Sequence, residues 1–227
     1  MNKQNKILSK LLLLSLAVFF TSCINIFEHV KFNNNGSGTY TFTVDMGNMV
    51  KMYAAMGVEM TGDEIFEDLD LEEPEMIYKL EAVEGISNVQ PVINKEDISV
   101  SLSFDFEDVD ALNAGISTYM HDSTESPDVI IKTFYEWKGR DVIRTSQNPI
   151  LESFQSEISE EDLNNPMMKA MMGDMSYIQK ITVNSGINKF DNEEYIRLDE
   201  NTIEWQSFFF DPEKYQTNIS VNLKRGK

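Results

Sequence analysis

Between residues 24 and 46, apolar and polar side chains alternate in two runs around a hexapeptide suited only to turning. Ile24, Ile26, Val30 and Phe32 share one parity, and Tyr40, Phe42, Val44 and Met46 share one on the return. The Asn33-Asn34-Asn35-Gly36-Ser37-Gly38 segment between them is rich in the two residue types that best tolerate positive φ. Period-two alternation buries one face of a sheet, so this stretch reads as a β-hairpin. The pattern recurs. Ile86–Ile93 and Ile98–Phe106 flank Asn94-Lys95-Glu96-Asp97, and Val129–Trp137 and Val142–Ser146 flank Lys138-Gly139-Arg140. A strand-rich tail follows at Tyr177–Asn184, Glu194–Leu198, Thr202–Phe210 and Thr217–Lys224.

Helical spacing fills the gaps. Met49, Met52, Tyr53 and Met56 form a stripe that Gly57 stops, and Pro74 opens a second helix with Met76, Ile77, Leu80 and Val83. A third stripe is Val109, Leu112 and Ile116, and residues 150–172 read as two helical pieces broken at Asn164-Asn165-Pro166. Tyr40–Met46 also resembles Val100–Phe106, and each is followed by a helical stripe, so strand–turn–strand–helix is expected twice. The expected fold class is therefore α+β. It is an antiparallel, hairpin-rich sheet, with barrel-like closure open as an option and helices packed on one side.

The N-terminus is an address. Lys3, Lys6 and Lys10 precede the uncharged run Leu11–Phe20, which is short for a bilayer span of about 20 residues. Thr21-Ser22-Cys23 then resembles a lipobox, with Phe20 where Leu is more usual. Cys23 is the only cysteine, and it stands where acylation requires one. Residues 1–22 are read as a lipoprotein signal peptide and 23–227 as a single α+β domain. The alternative is an ordinary signal peptide with an incidental cysteine. Cys23 would carry the membrane anchor, since stacked acyl chains contribute about 0.8 kcal/mol per buried CH₂. The expected location is the cell envelope, on the outer membrane facing the periplasm.

Charge and motif content exclude several functions. With 19 Lys+Arg against 38 Asp+Glu the formal charge is −19, and loss of the three leader lysines makes it −22. Phosphate backbones need clustered Lys and Arg, so nucleic acid is not an expected partner. His29 and His121 stand alone, one cysteine makes no CxxC pair, and no cofactor loop or metal site is expected. The acidic run from Asp63 to Glu75 fails the EF-hand pattern, because Glu73 occupies the glycine position counted from Asp68.

Methionine is concentrated at Met167, Met168, Met171, Met172 and Met175. Flexible thioethers fill cores, and they also line adaptable grooves for a lipid or peptide; soft-metal binding is a remote third option. Asp122-Ser123-Thr124 matches a short general O-glycosylation pattern at Ser123. In Phe208-Phe209-Phe210 one ring must face away from its neighbours. The leading functional reading is a non-enzymatic, membrane-anchored lipoprotein that binds a lipid, peptide or partner protein through an apolar groove. The alternatives are an assembly accessory with an acidic interaction surface, and a hydrolase using carboxylates such as Asp45 and Asp105.

The ensemble resembles the LppM-type bacterial lipoproteins. The resemblance rests on the lipobox at Cys23, the hairpin from Ile24 to Met46 with Gly36-Ser37-Gly38, the helices that follow, and the closing strand series. In that series Ile181–Asn188 followed by Asp199–Trp205 resembles the family's ending of strand, polar turn and strand ending in Trp. Ser185 stands where the family usually has Pro before Gly186. The resemblance implies a barrel-like α+β fold able to hold an amphiphile, and it carries over no site residues.

The anchor reading predicts that Cys23→Ser abolishes acylation and yields a soluble or uncleaved form. Membrane fractionation with acyl labelling checks this. A cleaved serine variant that still partitions wholly with membranes would contradict it.

Overall fold

The computed structural model describes residues 24–55, 57–59, 61–66, 74–121, 129–145, 148, 150–151, 159, 173–209 and 217–224. Cys23, Ser123 and Met167, Met168, Met171 and Met172 lie outside these residues, as does most of the expected 150–172 helical segment.

The first hairpin forms as read. Strands β1 (Asn25–Phe32) and β2 (Gly38–Asp45) pair antiparallel in continuous register from Asn25↔Asp45 to Phe32↔Gly38. Gly36 supplies the positive φ of the turn at 87°, and Asn33 N–H donates to the Ser37 carbonyl at 2.7 Å. Helix α1 (Gly47–Ala55) follows. Asp45 Oδ1 accepts from Gly47 N–H at 2.8 Å, and Gly57, at φ 81°, closes the helix with Val58 N–H reaching the Tyr53 carbonyl. A short helix α2 (Gly62–Phe66) starts on a reciprocal Thr61–Glu64 cap. Helix α3 (Pro74–Glu81) leads into β3 (Ile86–Asn94) and β4 (Ser99–Phe106), and helix α4 (Val109–Tyr119) is capped by Asp108, whose Oδ1 accepts from Asp110 and Ala111 N–H. Strand–turn–strand–helix thus occurs twice, as β1-β2-α1 and β3-β4-α4.

The remaining strands are β5 (Tyr135–Lys138), β6 (Asp141–Arg144), β7 (Ser176–Val183), β8 (Ile187–Phe190), β9 (Ile196–Arg197), β10 (Thr202–Phe208) and β11 (Ile219–Leu223). They assemble into two sheets: a seven-stranded sheet ordered β3-β4-β2-β1-β7-β10-β9 and a four-stranded sheet ordered β5-β6-β11-β8. The fold is α+β and mostly antiparallel, with β1 and β7 forming a parallel pair. Helix α4 packs on β3, β4 and β5, and α3 on β3 and α4.

Two expectations change, and the reading of the aromatic triplet holds. Among the described residues the sheet does not close into a barrel: its edge strands are β3, which carries Pro91 and a bulge between Ser87 and Gln90, and the two-residue β9. Proline and a bulge both spoil an edge for further pairing. The third hairpin is shorter than the Val129–Trp137 run. The Phe134 and Tyr135 N–H groups donate to Asn113 Oδ1, and Lys132 N–H donates to Ser117 Oγ, so α4 side chains take backbone donors a ladder would need. In the aromatic triplet, Phe209 is buried and Phe208 is exposed on the opposite face.

The core lies between the sheets and under α4. From the large sheet come Val30, Phe32, Tyr40, Phe104, Tyr177, Ile181 and Trp205; from the small one, Tyr135, Val142, Ile219 and Val221; from α4, Leu112 and Ile116. The β1–β2 turn is packed tightly enough that a Cβ on Gly38 would fall 1.8 Å from the Lys31 carbonyl oxygen and 2.6 Å from the Phe106 ring. Gly38→Ala is expected to cost about 2–3 kcal/mol or more, because backbone must move to admit the methyl. Urea denaturation checks this; a cost under about 0.5 kcal/mol, the size of an ordinary surface substitution, would show the turn is not the constraint described.

Candidate functional site

The deepest polar constellation sits where the two sheets face each other. Glu28 occupies the inward parity of β1, between Ile26 and Val30, and is 3% exposed. Across the interface Arg144, on β6, is 2% exposed. Its Nη2 lies 3.6 Å from Glu28 Oε2, an ion-pair separation longer than a hydrogen bond. Two tyrosines complete the carboxylate: Tyr135 on β5 donates to Oε1 at 2.6 Å, and Tyr177 on β7 donates to Oε2. The guanidinium also donates through Nη1 to the Thr145 carbonyl at 3.2 Å and lies 5.0 Å from the Tyr135 ring centroid.

The network extends sideways. Gln179 on β7 holds Tyr195 through its Oε1, and the Tyr195 hydroxyl also reaches the Thr217 carbonyl at 2.7 Å. One hydroxyl proton cannot serve both acceptors fully. Burial, with the Glu28 charge adding to it, pushes the Tyr135 and Tyr177 hydroxyls far above the ordinary phenol range, so both remain neutral donors. Desolvation is the largest single influence on Arg144 and works against its charge, but Glu28 together with Tyr135, Tyr177 and Tyr195 outweighs it and raises its pKa further. The arrangement is a buried ion pair whose carboxylate is held by two phenols.

The other candidates are dispersed. Asp45 pairs with Ser99 and Asp105 with Thr39, at opposite ends of the β2–β4 ladder. Six residues of strand separate them, about 20 Å, whereas paired hydrolytic carboxyls need about 5–10 Å. Asp45 caps α1, and Asp105 accepts from Thr39 Oγ1 and Asn88 Nδ2. His29 is half-buried on the outer sheet face with Nε2 3.0 Å from Thr182 Oγ1. Burial, then Lys31 and Lys180, bring its pKa down to about 4. No group of three His, Cys, Asp or Glu among the described residues could hold a metal ion, and no helix among them is long and apolar enough to cross a membrane. Met175 is buried in the core, and its carbonyl accepts from Phe209 N–H at 2.9 Å.

Among the described residues, two open clefts flank the large sheet. One, of about 590 Å³, lies at the β1 N-terminal end among Phe27, Asp45, Asn48, Lys51, Asp97 and Ile98. The other, of about 640 Å³, runs along α4 between Val83–Gly85 and Val129–Ile131. Sequence reading missed the buried network, although a signal for it was present. Glu28 shares the parity of Ile26 and Val30, a position where a carboxylate must find a partner.

No protein-family model matches the chain, and no curated protein matches it. Among solved structures, the chain is similar to the folded domain of the Mycobacterium tuberculosis LppM protein, determined by NMR. The match covers 92% of this chain and 94% of that one, at 10% sequence identity and a TM-score of 0.42.

The ion pair predicts an asymmetric mutational response. Glu28→Gln or Arg144→Met alone should cost about 3–5 kcal/mol, because each strands a buried charge. The pair Glu28→Gln with Arg144→Met should cost clearly less than the sum of the two single changes. Guanidinium denaturation measures all of them, and additive losses would show that the two groups do not interact.

Proposed function

We propose that this protein is a non-enzymatic lipoprotein of the cell envelope, anchored through acylated Cys23, that binds an amphiphile with Met167, Met168, Met171 and Met172, while Met175 fills the core. The observation that carries this reading is the parallel, in-register pairing of β1 and β7. Asn25 faces Ser176, with Ser176 N–H donating to the Ile24 carbonyl at 3.2 Å and Ser176 Oγ to Asn25 Oδ1 at 2.6 Å. Cys23 precedes Asn25 by two residues and Met175 immediately precedes Ser176. The anchor and the methionine segment therefore join the same end of the sheet. On this reading a bound amphiphile exchanges with the bilayer without crossing open water.

The dispersal of Asp45 and Asp105 favours binding over hydrolysis. A net charge of −22 after leader removal repels anionic headgroups, so attachment falls to the acyl chains. On the same reading the protein faces the periplasm from the outer membrane, and it uses no cofactor and no nucleic acid.

Native mass spectrometry of the full chain, released from its own membranes in a mild detergent, tests the proposal. A co-purifying lipid is expected, and Met168→Gln with Met172→Gln should remove it while leaving the melting temperature nearly unchanged. A lipid-free wild type, or a paired variant that loses about 2–5 kcal/mol of stability with lipid binding intact, would make these methionines core filler.

A further inference from the structure

The cleft along α4 belongs to neither the ion-pair network nor the anchor end. Its floor is the face of α4 carrying Ala111, Ala114 and Thr118, small side chains that leave the helix surface low. One wall is Val129–Ile131, three consecutive aliphatic residues that are 39%, 74% and 64% exposed. Such a run is unusual on a soluble surface, where large apolar side chains are normally scattered. It is held there: Lys132 N–H donates to Ser117 Oγ at 2.9 Å and Phe134 N–H to Asn113 Oδ1, which tie the segment alongside the helix. The rim is acidic. Glu84, Glu107 and Asp110 are exposed around the cleft, and no Lys or Arg is among its lining residues. The feature is thus an apolar trough with a one-signed border.

Charge selects the occupant. A second copy would bring a chain of charge −22 and the same carboxylates against this rim. An anionic lipid surface would be repelled in the same way. Position argues further against a bilayer. Glu107 N–H donates to the Gly85 carbonyl beside the Ile86↔Phe106 pair, and Phe106 faces Gly38, which faces Phe32. This is the opposite end of β1 from Asn25, about 25 Å along the strand. That orientation away from the membrane rests on the anchor reading; the chemistry of the trough does not. We propose that this trough docks a cationic amphipathic segment of a partner protein, with apolar side chains against Val129, Ile131 and Val83 and Lys or Arg over Glu84, Glu107 and Asp110.

The test uses the full chain in neutral phosphatidylcholine nanodiscs, with empty discs as reference. The probe is a fluorescent synthetic peptide of Leu and Lys at amphipathic helical spacing. Two control peptides replace every Lys by Glu or every Leu by Ser. Anisotropy should show binding to the Leu/Lys peptide that falls about tenfold or more between about 50 and 300 mM salt, with both controls at least about tenfold weaker. Val129→Ser with Ile131→Ser should weaken it by a similar factor, and so should Glu107→Gln with Asp110→Gln, each with an unchanged melting curve. Binding indistinguishable from empty discs would overturn the proposal, as would equal binding by wild type and both variants. Self-association lost in the Ser variant would identify a second copy as occupant instead, and altered binding of anionic vesicles would identify a membrane; either result overturns it too. None of these outcomes depends on whether a lipid co-purifies.

Discussion

A carboxylate and a guanidinium face each other between two sheets with almost no access to water, and much of the architecture exists to make that tolerable. Glu28 comes from the large sheet and Arg144 from the small one. Removing two charges from water costs several kcal/mol each, and Coulomb attraction repays it only when the remaining hydrogen-bonding capacity is met. Here Tyr135 and Tyr177 donate to the two carboxylate oxygens, and backbone carbonyls with an aromatic face receive the guanidinium. The pair and its two phenols join β1 and β7 of the large sheet to β5 and β6 of the small one. The pair therefore contributes more to fixing how the sheets meet than to net stability, which comes from the surrounding apolar core of Phe32, Tyr40, Ile181, Trp205 and Val221.

The parallel β1–β7 pair is the second constraint. Hairpins alone would give a purely antiparallel meander. Inserting β1 between β2 and β7 instead brings residues 25 and 176 together, and with them the two chain segments on which the proposed function rests. The sheet thereby acquires two chemically different ends. One carries the route to Cys23 and the methionine stretch; at the other begins the acid-rimmed trough of α4. Under the proposed anchor at Cys23, the far end would face soluble partners while the near end stayed at the bilayer.

Local elements were legible because local rules govern them. The Asn33–Gly38 turn, the Gly57 helix stop and the Pro74 start each follow from a few adjacent residues. What was illegible depends on distant partners. Val129–Phe134 is rich enough in β-branched and apolar residues for a strand, yet Asn113 and Ser117 of α4 claim its N–H groups. The split into two sheets depends on where β11 and β8 pair, which periodicity does not encode. Glu28 and Arg144 stand far apart in sequence, so each resembled a solvated charge; only the shared parity of Glu28 with Ile26 and Val30 hinted otherwise. The candidate site was legible only through that parity, because the partners of Glu28 lie on β5, β6 and β7, far along the chain.

If the ion-pair network unites the two sheets, they must open together. Native-state hydrogen exchange reads this directly from amides of β7 in the large sheet and of β6 and β11 in the small one. The account predicts that the slowest amides in both sheets share one opening free energy, equal to that of global unfolding. Amides of β6 and β11 exchanging through an opening about 2 kcal/mol or more below the global value would contradict it, since the small sheet would then detach while the large one stayed folded.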